Sequence, residues 1–327
     1  MGFDNIKLEK GLYTTTKGFT AALEELDPSE NYKGTPYEGL DAYQRQLKRF
    51  DIKVSGRGSD TVEKFFSTTD AAALFPEYIS RAVRQGMEDC DILSKLTATV
   101  TDIDALDYRA VESVSGTDGK KLKEVAEGAF IPETTIQTKE SVVALRKRGR
   151  MLVSSYEAIR FQHLDLFTIT LKQIGRQIAL SFADDAIKEL KKTGAKTYTL
   201  EDEMSFDQLV GIWAKLKPYN MTTLLGSYEA AGKLLSLSQF QDAEAGLNFH
   251  ATGQMITPLG AELVASGSAE LGDSLLALDR TCALEMVKAG GVQTEFDKLI
   301  DRQLERAAIT ATAGFSRIFA DAVVCAE

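Results

Sequence analysis

The sequence predicts an α+β fold, and three observations carry that expectation. Ser154–Lys192 places Leu164, Phe167, Leu171, Ile174, Ile178, Phe182, Ala186 and Leu190 at every third or fourth position, the stripe of an amphipathic helix. No Pro interrupts it and Gly175 is its only glycine. At 1.5 Å rise per residue it would span on the order of 55 Å, whereas ordinary helices run about three turns. The preceding segment, Thr134–Val153, has a period of two: Val143, Leu145, Met151 and Val153 share one face, and Arg146, Arg148 and Arg150 share the other. Beyond Gly194 helical and strand patterns mix, without an internal repeat.

Taken in order, residues 1 to about 70 are polar and mixed, with nearly balanced charge. Leu26–Gly39 (LDPSENYKGTPYEG) holds two of the six prolines and several turn formers, so it is expected to be an extended arm or loop. Asp41–Phe50 suits a short helix, and SGRGSD (55–60) a flexible joint. A helix is expected over Ala71–Gly86, with Leu74, Phe75, Ile79 and Val83 on one side and Pro76 in its first turns. Ile92–Val114 is richer in strand formers, and SGTDGKKLKEVAEG (115–128) has the polarity of a loop tip. The segments flanking that loop form a long two-stranded excursion. Alone it would be marginal, and a neighbouring subunit is the natural support.

The second half is expected to contain a helix over Phe206–Leu216, a buried strand over Thr222–Gly226 and a helix over Tyr228–Leu237. Phe240–Gln254 is loop-rich, with Gly246 and Gly253. Met255–Ser266 and Leu275–Val287 have strand composition, Thr294–Leu304 suits helix or strand, and Ala307–Val324 is a final apolar segment rich in Ala and Thr.

Composition narrows the function. The formal net charge is −10, whereas a chain that wraps nucleic acid gains its affinity from basic residues. Sequence-specific DNA binding is therefore not expected, although an acidic surface suits proximity to packaged DNA. No apolar run is long enough for a bilayer, and the N-terminus lacks the apolar core of a signal peptide. Cys90, Cys282 and Cys325 are odd in number and far apart, as free thiols in a reducing compartment would be.

Motifs for chemistry are missing. His163 and His250 are the only histidines, and with no CxxC or HxxxH they assemble no zinc site. There is no GxSxG elbow. GSYEAAGKL (226–234) approximates a phosphate loop, but its glycine spacing is one residue too long and Leu234 stands where Ser or Thr would hold magnesium. Asp102, Asp104 and Asp107 lack the spacing of a calcium loop and suit a solvated turn. Asp184 and Asp185 suit a solvated helix edge, and Trp213, beside Ile212 and Leu216, suits the core. No catalytic, cofactor-binding or metal residue is assigned. The one cluster of interest is Arg146, Lys147, Arg148 and Arg150. It is a solvated strand face, a bidentate contact with carboxylates of an adjacent subunit, or a nucleic-acid contact.

Three stretches together resemble the major capsid proteins of tailed bacteriophages, whose fold is named for phage Hong Kong 97. EGAFIPETTIQTKESVVALRKRGRMLVSSYEAIRFQHLDLF (127–167) is similar to that family's extended loop, return strand and spine-helix start. ITPLGAELVAS (256–266) is similar to its axial strand pair, and LLALDRTCALEMVKAGGVQTEFDKLIDRQLERAAITATAGFSRIFADAVV (275–324) to its ending. The resemblance covers roughly residues 65 to 327, and the order of the stretches carries it more than any one motif.

The resemblance implies an N-terminal arm (1–70), a peripheral domain begun by 71–114, an extended loop (115–150), and a spine helix with more peripheral domain (151–200). An axial domain (201–280) and the C-terminal peripheral part (281–327) complete it. It implies a non-enzymatic subunit that assembles with itself into hexamers and pentamers, enclosing double-stranded DNA by non-specific proximity. Scaffolding, portal and decoration proteins are its expected partners; no membrane is. The expected location is the virion, and the host cytoplasm during assembly. Some relatives weld the shell through a Lys–Asn isopeptide bond. Lys120, Lys121 and Lys123 stand at the loop tip, but Asn5, Asn31, Asn220 and Asn248 are the only asparagines and none lies in the C-terminal sheet segment. No cross-link is therefore expected, nor an internal scaffolding domain. The rival expectations are an encapsulin shell subunit and a soluble enzyme of unknown type.

Overall fold

The computed structural model describes residues 3–14, 18–90, 92–105, 107–114, 124–127, 135–201, 204–241 and 255–327. Lys120, Lys121, Lys123, Asn248, His250 and most of Phe240–Gln254 lie outside the described residues. The helices at the N-terminal end are α1 (Phe19–Leu26), α2 (Ala42–Arg49), α3 (Thr69–Ala72) and α4 (Phe75–Glu88). Strands β1 (Thr99–Ile103), β2 (Val111–Val114), β3 (Thr135–Thr138) and β4 (Arg146–Ser155) follow, then α5 (Tyr156–Arg160) and α6 (Leu164–Leu190). Next come β5 (Lys196–Tyr198), α7 (Phe206–Lys215), β6 (Thr223–Ser227), α8 (Tyr228–Leu235), α9 (Ser238–Gln241), β7 (Glu262–Ser266) and β8 (Leu275–Leu278). The last strands are β9 (Leu284–Ala289), β10 (Gln293–Leu299), β11 (Leu304–Arg317) and β12 (Val323–Ala326). This is the expected α+β class. The chain forms two compact units, to both of which α6 and β11 contribute residues.

The first unit comprises Met1–Cys90, Arg148–Ile178 and Val292–Ala311. Its core is aromatic: Phe75 packs 5.3 Å from Phe65 and stacks 6.2 Å from Phe167, and Tyr78 lies 5.4 Å from Phe65. The buried Tyr78 hydroxyl donates to the Leu164 carbonyl at 2.7 Å, and burial pushes its pKa up to about 12. Helices α4 and α6 meet through glycine. A Cβ on Gly86 would lie 2.1 Å from the Lys172 carbonyl oxygen, and one on Gly175 would lie 2.0 Å from that of Val83. No other residue fits either place without moving a helix.

An arm is expected over residues 1–70, extended or looped at Leu26–Gly39; in the described residues of this stretch short helices and turns pack on one another. A capping box starts α2, in which Asp41 accepts from the Gln44 amide at 2.7 Å and the Gln44 side chain accepts from that of Asp41 at 3.0 Å. Phe3, Leu8, Phe19, Leu23, Tyr43 and Leu47 are buried. So is Arg45, entirely: it donates to the Asp27 carboxylate at 2.6 Å, the Asp27 carbonyl at 2.6 Å and Ser29 Oγ at 3.0 Å, and lies 4.3 Å from the Tyr32 ring centre. Arg81 of α4 ties this lobe down, pairing with Asp41 at 2.7 Å and Glu77 at 3.0 Å and donating to Thr20 at 2.9 Å. Polar composition hid a lobe built on ion pairs around few apolar side chains.

Two expected helices are each divided. The helix placed over Ala71–Gly86 breaks at Ala73–Leu74, because Thr68 caps α3 and Pro76 opens α4. The one placed over Ser154–Lys192 begins as strand to Ser155, turns at Phe161–His163 and leaves a 27-residue α6, about 40 Å long. That turn is fixed from outside: Val62 N donates to the Gln162 carbonyl at 3.0 Å, Leu164 N to that of Asp60 at 2.9 Å, and His163 Nδ1 meets the Ser59 carbonyl at 2.9 Å. No Gly or Pro marks it.

The second unit comprises Asp91–Lys147, Ala179–Gly291 and Thr312–Glu327. Its sheet has the order β5-β12-β8-β6-β7, with Leu209, Ile212, Leu224, Leu234, Leu263 and Leu275 in one core under α7 and α8. Strand β9 pairs in parallel with β1 and antiparallel with the 313–317 end of β11. The expected strand Leu275–Val287 is therefore two strands of different sheets. Asp279 turns the chain between them, accepting from the Asn220 amide at 3.0 Å and the Thr281 hydroxyl at 2.6 Å. The expected strand Met255–Ser266 narrows to β7, and Thr294–Leu304 resolves as β10 and a tight return into β11.

Gly175→Ala is expected to lower unfolding free energy by about 3 kcal/mol or slightly more, since overpacking typically costs 1–3. Gly232→Ala on the exposed side of α8, where an added Cβ meets nothing within 4 Å, should raise it by about 0.5–1 kcal/mol. Arg45→Met strands the buried Asp27 carboxylate and should cost about 3–5 kcal/mol. Urea unfolding of the three variants checks all of them.

Candidate inter-subunit surfaces

The arginine run does not act as one face. Arg146 turns onto its own unit, where Nη1 donates to Asp185 Oδ1 at 2.7 Å; Arg146 is 52% exposed and Asp185 only 6%. Asp185, expected on a solvated edge, is a buried carboxylate with an arginine beside it. Arg148 is half-buried, while Lys147 and Arg150 are exposed.

The alternation changes parity within this stretch. Val143 is buried beside Ala110 and Val287, with Leu145 packed against them. From Arg148 onward the half-buried positions are Arg148, Leu152 and Ser154, and Met151 and Val153 face outward, 54% and 48% exposed. Residues 139–145 are not strand, so the period of two does not carry through them. At Gly149 an added Cβ would lie 2.5 Å from the Ile309 carbonyl oxygen. The backbone of β4 is pressed against β11 there, which only glycine permits.

The outward apolar positions continue past β4. Phe161 is 72% exposed in the turn before α6, and Leu166 and Ile169 are 56% and 64% exposed on its first turns. On that helix Leu164, Phe167, Leu171, Ile174 and Ile178 face the core, so the sequence stripe was placed correctly. Leu166 and Ile169 lie on the opposite side, a second apolar face that the inward stripe concealed. Asp165 sits at the start of α6 with its carboxyl held below the usual range, chiefly by the Leu166 amide donating to it at 2.7 Å. Elsewhere in the first unit Leu26 is 56% exposed at the end of α1. In the second, Trp213 is 48% exposed and Tyr228 66%; Trp213 was expected in the core, which Ile212 and Leu216 fill instead.

Reactive groups are quiet. Burial, then Glu327, pushes the Cys325 thiol up to about 11, and burial followed by Asp279 raises that of Cys282. A depression of about 420 Å³ in the second unit brings Lys191 within 3.1 Å of Ser274 Oγ. Lys191 is ion-paired with Glu327 at 2.8 Å, and the Ser274 hydroxyl donates to the Leu271 carbonyl, so neither is poised as base or nucleophile. Among the described residues no three His, Cys, Asp or Glu side chains gather as a metal site, and no helix is long and apolar enough to cross a membrane.

The chain matches no protein-family model and no curated protein sequence. Its fold is that of phage capsid structures. The capsid of a native GTA particle aligns with a TM-score of 0.52 at 14% identity, over 71% of this chain and 89% of that one. A virus-like particle from Pyrococcus furiosus aligns with a TM-score of 0.51 at 12% identity, over 77% of this chain and 98% of that one. The capsid of cyanophage P-SCSP1u gives 0.50 at 13% identity, over 72% and 87%.

The two ends of the arginine run should separate by experiment. Arg146→Ala removes the cation beside Asp185 and should cost about 1–2 kcal/mol of stability, discounted for the exposure of Arg146. Arg150→Glu should change stability by less than about 0.5 kcal/mol. Thermal unfolding of the two monomeric variants checks the contrast.

Proposed function

We propose that this chain is a major capsid protein, the repeating subunit of a head shell that encloses double-stranded phage DNA. The observation that carries the reading is the capsid fold, shared over roughly three quarters of the chain with particle-forming proteins. The apolar positions facing away from the core at Met151, Val153, Phe161, Leu166 and Ile169 support it. Large apolar side chains left in solvent suit an interaction site, and in a shell they are covered by the next copy.

In this reading the subunits group as pentamers and hexamers in an icosahedral or prolate shell, and closed symmetry multiplies each modest contact. The role is structural and needs no catalytic centre, cofactor or metal. The net charge of −10 keeps the packaged genome from adhering to the wall. Scaffolding, portal and decoration proteins are the remaining partners, the virion is the location, and assembly takes place in the host cytoplasm. The folded lobe formed by residues 3–14 and 18–66 takes the place of the expected strap, and Lys120, Lys121 and Lys123 remain proposed contacts on the loop. A second reading, an encapsulin-type compartment with an enzyme cargo, draws on the likeness to the Pyrococcus furiosus particle, 98% of whose chain is covered.

Expressed alone or with its neighbouring genes, the protein should form megadalton particles visible by electron microscopy. A discrete small oligomer at every concentration would sink both shell readings, and DNA-filled particles rather than enzyme-filled ones would select the phage reading. On denaturing gels the particles should run as monomer, with no covalent ladder.

A further inference from the structure

Strands β2 and β3 pair antiparallel with each other, Val111 opposite Thr138 and Val114 opposite Thr135, and with no other strand among the described residues. A two-stranded ribbon is marginal by itself, so its support is sought where it joins the second unit. Tyr108–Ala110 lead into it and Lys139–Leu145 lead out, and both legs are tied to the sheet. On the first leg the Tyr108 hydroxyl donates to Glu285 Oε1 of β9 at 2.7 Å, the same oxygen that takes the Thr101 hydroxyl of β1 at 2.7 Å. On the second the Lys139 ammonium donates to Ser316 Oγ at 3.2 Å and to the Arg317 carbonyl, both on β11. Ser316 stands opposite Glu285 in the pairing of β11 with β9, so the two ties lie side by side. The legs also hold each other: the Lys139 amide donates to the Ala110 carbonyl and the Val143 amide to that of Tyr108, each at 2.8 Å. Ala110 and Val143 are buried with Val287. A Cβ on Gly314 would lie 2.8 Å from the Ala144 carbonyl oxygen, so the second leg rests directly on the β11 backbone. Arg317 is fixed in turn, its guanidinium donating to the Lys192 and Thr193 carbonyls past the end of α6 at 2.9 and 2.7 Å.

We infer that Tyr108, Lys139 and Glu285 form a clamp that fixes the direction of the β2–β3 ribbon on its own subunit before any partner arrives. One tie would leave the ribbon free to pivot; two, on opposite legs and at facing positions of paired strands, remove that freedom. The Glu285 carboxylate is buried, and burying a charge is costly unless it is hydrogen-bonded. The Tyr108 hydroxyl therefore has a standing reason to stay, and the ribbon stays with it. Tyr108 and Lys139 are positioning residues that act through the ribbon. The consequence for assembly rests on the shell-forming reading. A ribbon already directed has little conformational freedom left to lose when a neighbouring copy receives it, and preorganisation of that kind lowers the cost of association.

The test is amide hydrogen exchange of the full-length chain, below the concentration at which particles form. In the parent, the cross-strand bonded amides of Val111–Val114 and Thr135–Thr138 should exchange at least about tenfold more slowly than those of an unstructured chain. Tyr108→Phe keeps the ring and deletes the hydroxyl, and Lys139→Met keeps the stem and deletes the ammonium. Each should speed exchange of the ribbon amides by about threefold to tenfold, with those of β6 and β8 unchanged. Thr101→Val removes the other donor to Glu285, which belongs to β1 and to neither leg, and should leave the ribbon within about twofold of the parent. Three results overturn the clamp: acceleration spread evenly over ribbon and sheet, an equal effect of Thr101→Val, or a parental ribbon that exchanges like a free chain. The last needs no variant, so a misfolded mutant leaves the test standing. In sedimentation velocity the two clamp variants should need about threefold or more protein to form particles. Particles at the parental concentration from a variant whose ribbon has loosened overturn the consequence for assembly. A parental chain that forms no particles at all overturns the shell reading and leaves the exchange measurement to decide the clamp.

Discussion

Helices α4 and α6 touch through backbone atoms, and the rest of the first unit depends on that contact. With Gly86 over Lys172 and Gly175 over Val83, the helix axes lie closer than side-chain packing would allow. The larger residues are displaced to either side: Ile79 and Val83 on one helix, Leu171 and Ile174 on the other, all buried. The aromatic cluster of Phe65, Phe75, Tyr78 and Phe167 fills one flank. The inward face of α6 is occupied in this way, and so Leu166 and Ile169 are left facing out. A wider crossing would relax the constraint that keeps those two positions off the core.

The N-terminal lobe is held by a different force. Its anchor is a guanidinium with no solvent exposure, ringed by a carboxylate, two carbonyls, a hydroxyl and an aromatic face. Burying a charge is costly unless every donor is used, and the Arg45 site comes close to that. Such an arrangement fixes geometry more than it adds stability. It specifies how α1, α2 and the turn-rich segment between them meet, which the few apolar residues there would leave loose.

Legibility in the sequence followed the physics of each element. The stripe from Leu164 to Leu190 was visible because side-chain burial repeats with the helical period, and the helices Phe206–Lys215 and Ala42–Arg49 because caps and periodicity agree. The α6 boundary was not visible, because the turn at Phe161–His163 is imposed by Ser59–Val62, about a hundred residues earlier. The basic run has the sequence of a single face only if parity holds through residues 139–145, where there is no strand to carry it. The inward turn of Arg146 is hidden because its buried partner Asp185 stands on α6 beside the apolar stripe, where a carboxylate reads from sequence as a solvated edge. Among the exposed positions, Arg150 is legible as a charge on a strand. Phe161, Leu166 and Ile169 are not, because an apolar residue inside a helical segment carries no sequence mark of which side it faces.

Trp213 is the only tryptophan in the chain, and it stands half in solvent on α7 while Ile212 and Leu216 occupy the interior. All indole fluorescence of the molecule thus arises at one half-wet position outside the hydrophobic centre. Its emission colour and its access to quenchers report local hydration of that helix face. The optical signal thus originates in the second unit, whereas the aromatic cluster of the first is built from phenylalanine and tyrosine alone.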